Sequence, residues 1–210
     1  MLKSAEIKAK IEALRKINGF QLHSLKIGKP IQDTTFEKIE IESGYKINAD
    51  LKEFYENFNG VSIEWTISND KMNLVGSLWI LEMEKAFFGA KEIANKNYKI
   101  ALEDFLWNDE GFAENEIRKL KPHCILESTV GDSSYYTFIP ENHDDKLYYI
   151  YENGIKKLKF NIQEFIKFRL LTLGLCIDPD KINSKNNFDS LMKIEEVINF
   201  SNLHKEPFCM

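Results

Sequence analysis

The sequence predicts an α+β protein, one domain built on a central, mostly antiparallel sheet flanked by helices, and three features carry that reading. Leu51, Phe54, Tyr55 and Phe58 fall at i, i+3, i+4 and i+7, the buried stripe of a helix. Directly after Asn59-Gly60 the period changes: Val61, Ile63, Trp65 and Ile67 alternate with Ser62, Glu64 and Thr66, as in a half-buried strand. Further on, several short strand patterns run without intervening helices up to Asn161, where Glu164 completes a capping box and Ile162, Phe165, Ile166 and Leu170 line a closing helix ended by Gly174.

The remaining elements follow from local signals. Ser4 to Ile17 reads as a helix with Ile7, Ile11 and Leu14 on one side and Gly19 just beyond it. Gly28-Lys29-Pro30 reads as a connector. Thr34 is expected to cap the next helix, with Glu37 reaching back to it and Gly44 as its left-handed exit. Asp50 and Glu53 suggest the same box for the third helix, with Asn48 as the other available cap. Asn69 to Asn73 is turn-like and leads into a strand over Leu74 to Glu82, making a hairpin with the strand before it. Met83 to Pro122 mixes short helical patterns with acidic loop. His123–Val130, Ser134–Ile139, Lys146–Tyr151 and Ile155–Phe160 read as strands, the last two joined through Glu152-Asn153-Gly154. Asp178-Pro179-Asp180 then opens a linker to a final helix using Leu191, Ile194, Val197 and Ile198. The expected layout is an N-terminal helix and connector over 1–30, the domain over 31–175, and a helical extension packed on it over 176–210.

Composition narrows the class. The 210 residues are 43% hydrophobic and 12% aromatic, enough for a packed interior. Cys124, Cys176 and Cys209 are odd in number and far apart, which suits a reducing compartment better than a disulfide framework. The first residues alternate charge with Ile and Leu, unlike a signal peptide, so a cytoplasmic location is expected. The apolar run FIKFRLLTLGLCI is too short for a bilayer and is interrupted by Lys167 and Arg169. A net charge of −5 argues against nucleic acid as a partner. The charge is uneven: residues 101–155 hold twelve acids against four bases, a net of −8, and the rest of the chain nets +3.

No reactive constellation emerges. His23, His123, His143 and His204 are scattered, HExxH, CxxC, GxSxG and phosphate-loop motifs do not occur, and His123 and Cys124 should point to opposite faces of a strand. Glu141, Asn142, His143, Asp144 and Asp145 lack the spacing and central Gly of a calcium loop and read as a solvated turn. Asp109, Glu110, Glu114 and Glu116 lack an apolar pocket that would separate their pKa values for acid–base work. Tyr135, Tyr136, Phe138, Tyr148, Tyr149 and Tyr151 read as cross-strand packing, with any on the outer face available to a partner. The expectation is a protein that is not an enzyme and holds no metal or cofactor.

Two blocks carry a family resemblance. In the first, Glu42, Gly44, Ile47, Leu51, Phe54, Asn59 and Gly60 match a segment of the SUKH superfamily, with Asn48-Ala49 in place of the proline of the family's common Leu-Pro. In the second, Gly131-Asp132, Tyr148 to Tyr151 and Phe165 are similar to its turn, hairpin and closing helix. Together they span residues 34 to 172. The resemblance implies a SUKH-like α+β domain and a bacterial immunity protein that binds and neutralises a toxin domain of nuclease or deaminase type. A basic toxin would meet the acidic segment, with Asp109, Glu110, Glu114, Glu141, Asp144 and Asp145 as candidate contacts. A scaffold or regulatory protein of the Smi/Knr kind is the alternative, and a hydrolase centred on His143 or the Gly131-Asp132 turn a more remote one.

Overall fold

Strand β2 (Val61–Asn69) is the strip on which the protein is laid down. Its odd-numbered residues Val61, Ile63, Trp65 and Ile67 are all buried, and the even-numbered ones between them are half-buried, as the alternation requires. The computed structural model describes residues 3–88, 122–129, 135–140, 146–151, 154–175 and 195–198. In chain order the elements are α1 (Ser4–Leu14), β1 (Phe20–Ile27), α2 (Asp33–Ser43), α3 (Ala49–Tyr55), β2, β3 (Met72–Ile80), α4 (Met83–Phe88), β4 (Pro122–Thr129), β5 (Tyr135–Pro140), β6 (Tyr148–Tyr151), β7 (Gly154–Lys157) and α5 (Ile162–Thr172). The seven strands form one sheet in the order β1 to β7, and every neighbouring pair is antiparallel. The fold is therefore α+β.

The N-terminal reading needs correction. Residues 20–27, expected to be part of a connector, form β1 and pair with β2 along its length. A bulge between Leu22 and Ser24 explains why the strand was hidden. Phe20 and Leu22 alternate on one side of it and Leu25 and Ile27 on the other, but the inserted residue breaks the period of two between them.

Two helix starts also differ. The N-cap of α2 is Gln32, whose side chain makes no cap bond, so Thr34 lies within the first turn. The N-cap of α3 is Asn48, which accepts the Leu51 N–H at 2.9 Å and leaves Asp50 in the first turn, where its carboxylate faces the positive end of the helix. Other element ends shift too: α1 stops at Leu14 and not at Ile17, α3 stops at Tyr55 so that Phe58 is buried just beyond it, β3 runs over Met72–Ile80, and β7 ends at Lys157 and not at Phe160. Two other helix signals hold. Gly44 is left-handed, with φ 71°, and Asn161 and Glu164 exchange reciprocal bonds of 2.8 and 3.0 Å at the start of α5.

A single apolar cluster joins the inner side of the sheet to the helices. It holds Ile7, Ile11 and Leu14 of α1, Phe36 and Ile39 of α2, Leu51, Phe54 and Tyr55 of α3, and Ile166, Leu170 and Leu171 of α5. Burial of each such side chain contributes about 1.5–3 kcal/mol. Of the final-helix expectation, only 195–198 lie among the described residues; they are helical, and Val197 and Ile198 enter the same cluster.

Helix α5 and the chain leaving it lock the sheet. The exit passes through Leu173 and Gly174, both at positive φ, and Gly174 C=O accepts the Ser77 N–H at 2.8 Å. The Trp65 indole N–H donates to Leu173 C=O at 2.9 Å. Gly76 lets the indole lie flat over β3, since a Cβ there would come within 2.2 Å of the ring. Beside it, β3 and β4 share one registered pair, Ile80 with Glu127, and one further bond from Leu81 N–H to Leu126 C=O. Arg169 of α5 bridges that seam. Its Nε lies 2.9 and 3.0 Å from the two Glu127 oxygens, while its terminal nitrogens donate to Glu127, to Ser77 C=O and to Leu175 C=O.

Three buried groups give stability a distinctive pH dependence. Burial, partly opposed by Glu195, lowers the Lys10 ammonium from its ordinary 10.5 to about 8. Between those values the unfolded chain holds more protons than the folded one, so stability rises with pH there. Burial raises the Cys124 thiol and the Tyr55 phenol above their ordinary 9.0 and 10.0, so their contribution is lost as the unfolded groups ionise. The urea midpoint should therefore climb from about pH 8 to pH 9, level off as ionisation of the unfolded Cys124 thiol offsets the Lys10 gain, and decline above about pH 10 as the unfolded Tyr55 phenol also ionises. Lys10→Met should abolish the climb, and a flat profile in the unmodified protein would contradict this account.

Candidate functional site

The outer face of β1, β2 and β3 is assembled by register. Lys26, Ser62 and Trp79 lie side by side, as do Ser24, Glu64 and Ser77, and then Gln21, Thr66 and Val75. None of the nine is buried. Two cross-strand bonds stiffen the face: the Trp79 indole N–H donates to Glu64 Oε1 at 2.9 Å, and His23 Nε2 lies 2.9 Å from Thr66 Oγ1. Val75 adds an apolar side chain that is 45% exposed. Fixing Trp79 in place removes much of the rotamer entropy that a partner would otherwise have to freeze.

One end of this face closes at the Asn59-Gly60 corner between α3 and β2. Gly60 takes φ 82°, its C=O accepts the Gly28 N–H at 2.9 Å, and Asn59 N–H donates to Lys29 C=O at 3.2 Å. A Cβ on Gly28 would lie 1.8 Å from Asn59 O, so only glycine lets the end of β1 approach so closely. The Asn59 side chain accepts the Met83 N–H at 2.9 Å and so fixes the start of α4. The corner bounds a shallow recess of about 250 Å³ lined by Lys26, Gly28, Asn59, Ser62, Trp79 and Glu82. Lys26 donates to Glu82 at 2.6 Å and Lys85 approaches at 3.8 Å; the Lys26 hydrogen bond is the main reason the Glu82 carboxyl titrates below its ordinary range.

Two groups have the chemistry to react, and neither is tuned for it. Glu82 is committed to two lysines and is held ionised, the reverse of a carboxyl tuned to move protons near neutral pH. Cys124 is buried with its thiol pushed up, which makes it a poor nucleophile. Among the described residues no group of three or more His, Cys, Asp or Glu side chains is placed to hold a metal ion, and no helix is long and apolar enough to cross a membrane.

Asp109, Glu110, Glu114, Glu141, Asp144 and Asp145 lie outside the described residues, as do Glu116, His143 and Gly131-Asp132. Tyr148 and Tyr149 are half-buried on β6. Sequence reasoning missed the Trp79–Glu64 pair and the recess beside it. A signal was present: Leu74, Leu78 and Ile80 share one parity of β3 and Trp79 the other, but Leu78-Trp79-Ile80-Leu81 reads as a uniformly apolar run. Compared with known proteins, the chain matches no family model, no curated protein and no solved structure.

The corner is testable apart from any partner. Asn59→Ala removes the acceptor for Met83 N–H and should destabilise the protein by about 1–2 kcal/mol in urea denaturation. Asn59→Asp, which keeps an acceptor, should recover most of that loss. Equal losses in the two variants would show that the side-chain oxygen is not what holds the corner.

Proposed function

We propose that this chain is a protein-binding module that works without catalysis, specifically an immunity protein that neutralises a cognate toxin domain of nuclease or deaminase type in the cytoplasm. The observation that carries the binding reading is the outer face of β1 to β3, with a half-buried Trp79 braced by Glu64 beside a shallow recess. Aromatic side chains held rigid at the centre of a polar surface are where interfaces concentrate their energy. The toxin reading is supported by the SUKH-like order of helix, Asn-Gly and Trp-bearing strand, the order taken by α3, Asn59-Gly60 and β2. Charge supplies a means of partner choice. Residues 101–155 net −8, so a basic toxin would be steered toward that segment, with Asp109, Glu110, Glu114, Glu141, Asp144 and Asp145 as the proposed contacts.

Co-expression with the toxin domain encoded beside its own gene is the direct test. The chain should restore growth to cells making that toxin and should co-elute with it. Trp79→Ala should weaken the complex by a factor of about 30, the loss expected of an interfacial anchor worth about 2 kcal/mol. Reversing the six acids together should slow association and flatten its salt dependence. Cells that die equally fast with and without the chain, and the absence of any complex, would overturn the toxin reading. A stable complex with a housekeeping protein instead would favour a regulatory scaffold.

A further inference from the structure

We propose that the free edge of β1 is a second binding site, which takes an extended acidic segment of a partner protein by strand addition. This is the edge of the sheet, not its outer face, and the inference does not depend on the toxin reading.

β1 ends the seven-stranded order, so one side of its backbone pairs with β2 and the other has no neighbouring strand among the described residues. The ladder shows which residues face outward. Gly28 N–H bonds to Gly60 C=O, so by the alternation of antiparallel pairs Lys26 and Ser24 also turn their backbone toward β2, while Ile27 and Leu25 turn theirs away. Beyond the bulge, Ser68 N–H bonds to Gly19 C=O, which places Phe20 and Leu22 outward in the same way. The Phe20 N–H is taken by Ile17 C=O, but the outward groups of Leu22, Leu25 and Ile27 have no backbone partner among the described residues. This is the template that strand addition uses.

Side chains state what kind of strand would fit. Leu25 is 37% exposed although Ile63, paired with it, is fully buried, so the rim of the core is uncovered along this edge. An incoming strand would cover it with apolar side chains at every second position. The charges are one-sided. Residues 13–32 contain Arg15, Lys16, Lys26 and Lys29, together with His23, and no acid. Arg15 is paired with Glu12, but Lys16 and Lys29 are exposed, and Glu82 is shared between Lys26 and Lys85, which leaves that group positive. Carboxylates on the alternate positions of an added strand would meet this basic border. A second copy of the chain fits less well, because the opposite edge strand β7 carries Lys156 and Lys157, and any edge-to-edge pairing would bring like charges together.

The test uses two synthetic peptides long enough to run beside β1, one alternating valine with glutamate and one alternating valine with lysine. The glutamate peptide should bind the full chain, more weakly as salt is raised, and should slow hydrogen exchange at the Leu22, Leu25 and Ile27 amides. The lysine peptide should not bind. Leu25→Pro removes one outward N–H without touching the β2 ladder and should abolish binding. Lys26→Glu leaves the backbone intact and should weaken binding by about fivefold at low salt, so it decides the matter if the proline variant does not fold. Failure of the glutamate peptide to bind, equal binding of both peptides, or protection outside β1 would overturn the proposal. Self-association of the chain that Leu25→Pro abolishes would assign the edge to a second copy instead.

Discussion

The buried ion pair between Arg169 and Glu127 is the constraint around which the structure is organised. The side chains are only 12% and 6% exposed, so both charges have been taken out of water, and such a pair survives only when its remaining hydrogen-bonding groups are met. Here they are met by elements from different parts of the chain. One guanidinium reaches Glu127 on β4, Ser77 on β3 and Leu175 beyond α5, across a seam where β3 and β4 share a single registered pair. The helix therefore joins two halves of a sheet that pair only weakly with each other. Its exit reinforces the first half through Trp65, whose indole fits over Gly76 and bonds to Leu173.

What could be read in advance was what depends on neighbours in sequence. The first three positions of the α3 stripe, the alternation of β2, the Asn161–Glu164 box and the Gly44 exit are all local, and the chain carries them out, while Phe58, the fourth position, is buried beyond the end of the helix. Competition among local options spoiled the caps. Thr34 and Asp50 are good cap residues, but they lie inside helices that begin earlier, at Gln32 and Asn48. β1 stayed hidden because one inserted residue shifts the phase of its pattern.

Long-range pairing was the larger obstacle. Arg169 interrupts an apolar run and was read only as a reason against a membrane span, yet it is the cation that Glu127, 42 residues away, brings into the interior. The candidate site was opaque for the same reason. Trp79 and Glu64 become neighbours only through the β2–β3 register, and the recess needs the ends of three strands and the Asn59-Gly60 corner to meet. Two surfaces follow from this scaffold, a polar sheet face with a braced indole and a basic strand edge whose outward backbone is unpaired among the described residues, and both rest on the half of the sheet that α5 secures.

A double-mutant cycle on Arg169 and Glu127, followed by urea denaturation, tests that dependence most directly. Arg169→Met and Glu127→Leu should each cost about 3–5 kcal/mol, because each leaves a buried charge without its partner. The double variant should cost less than the two together by at least about 1 kcal/mol, the mark of direct coupling. Single losses below about 1 kcal/mol that simply add would mean the seam is held by apolar packing alone, and the pair would lose its central place.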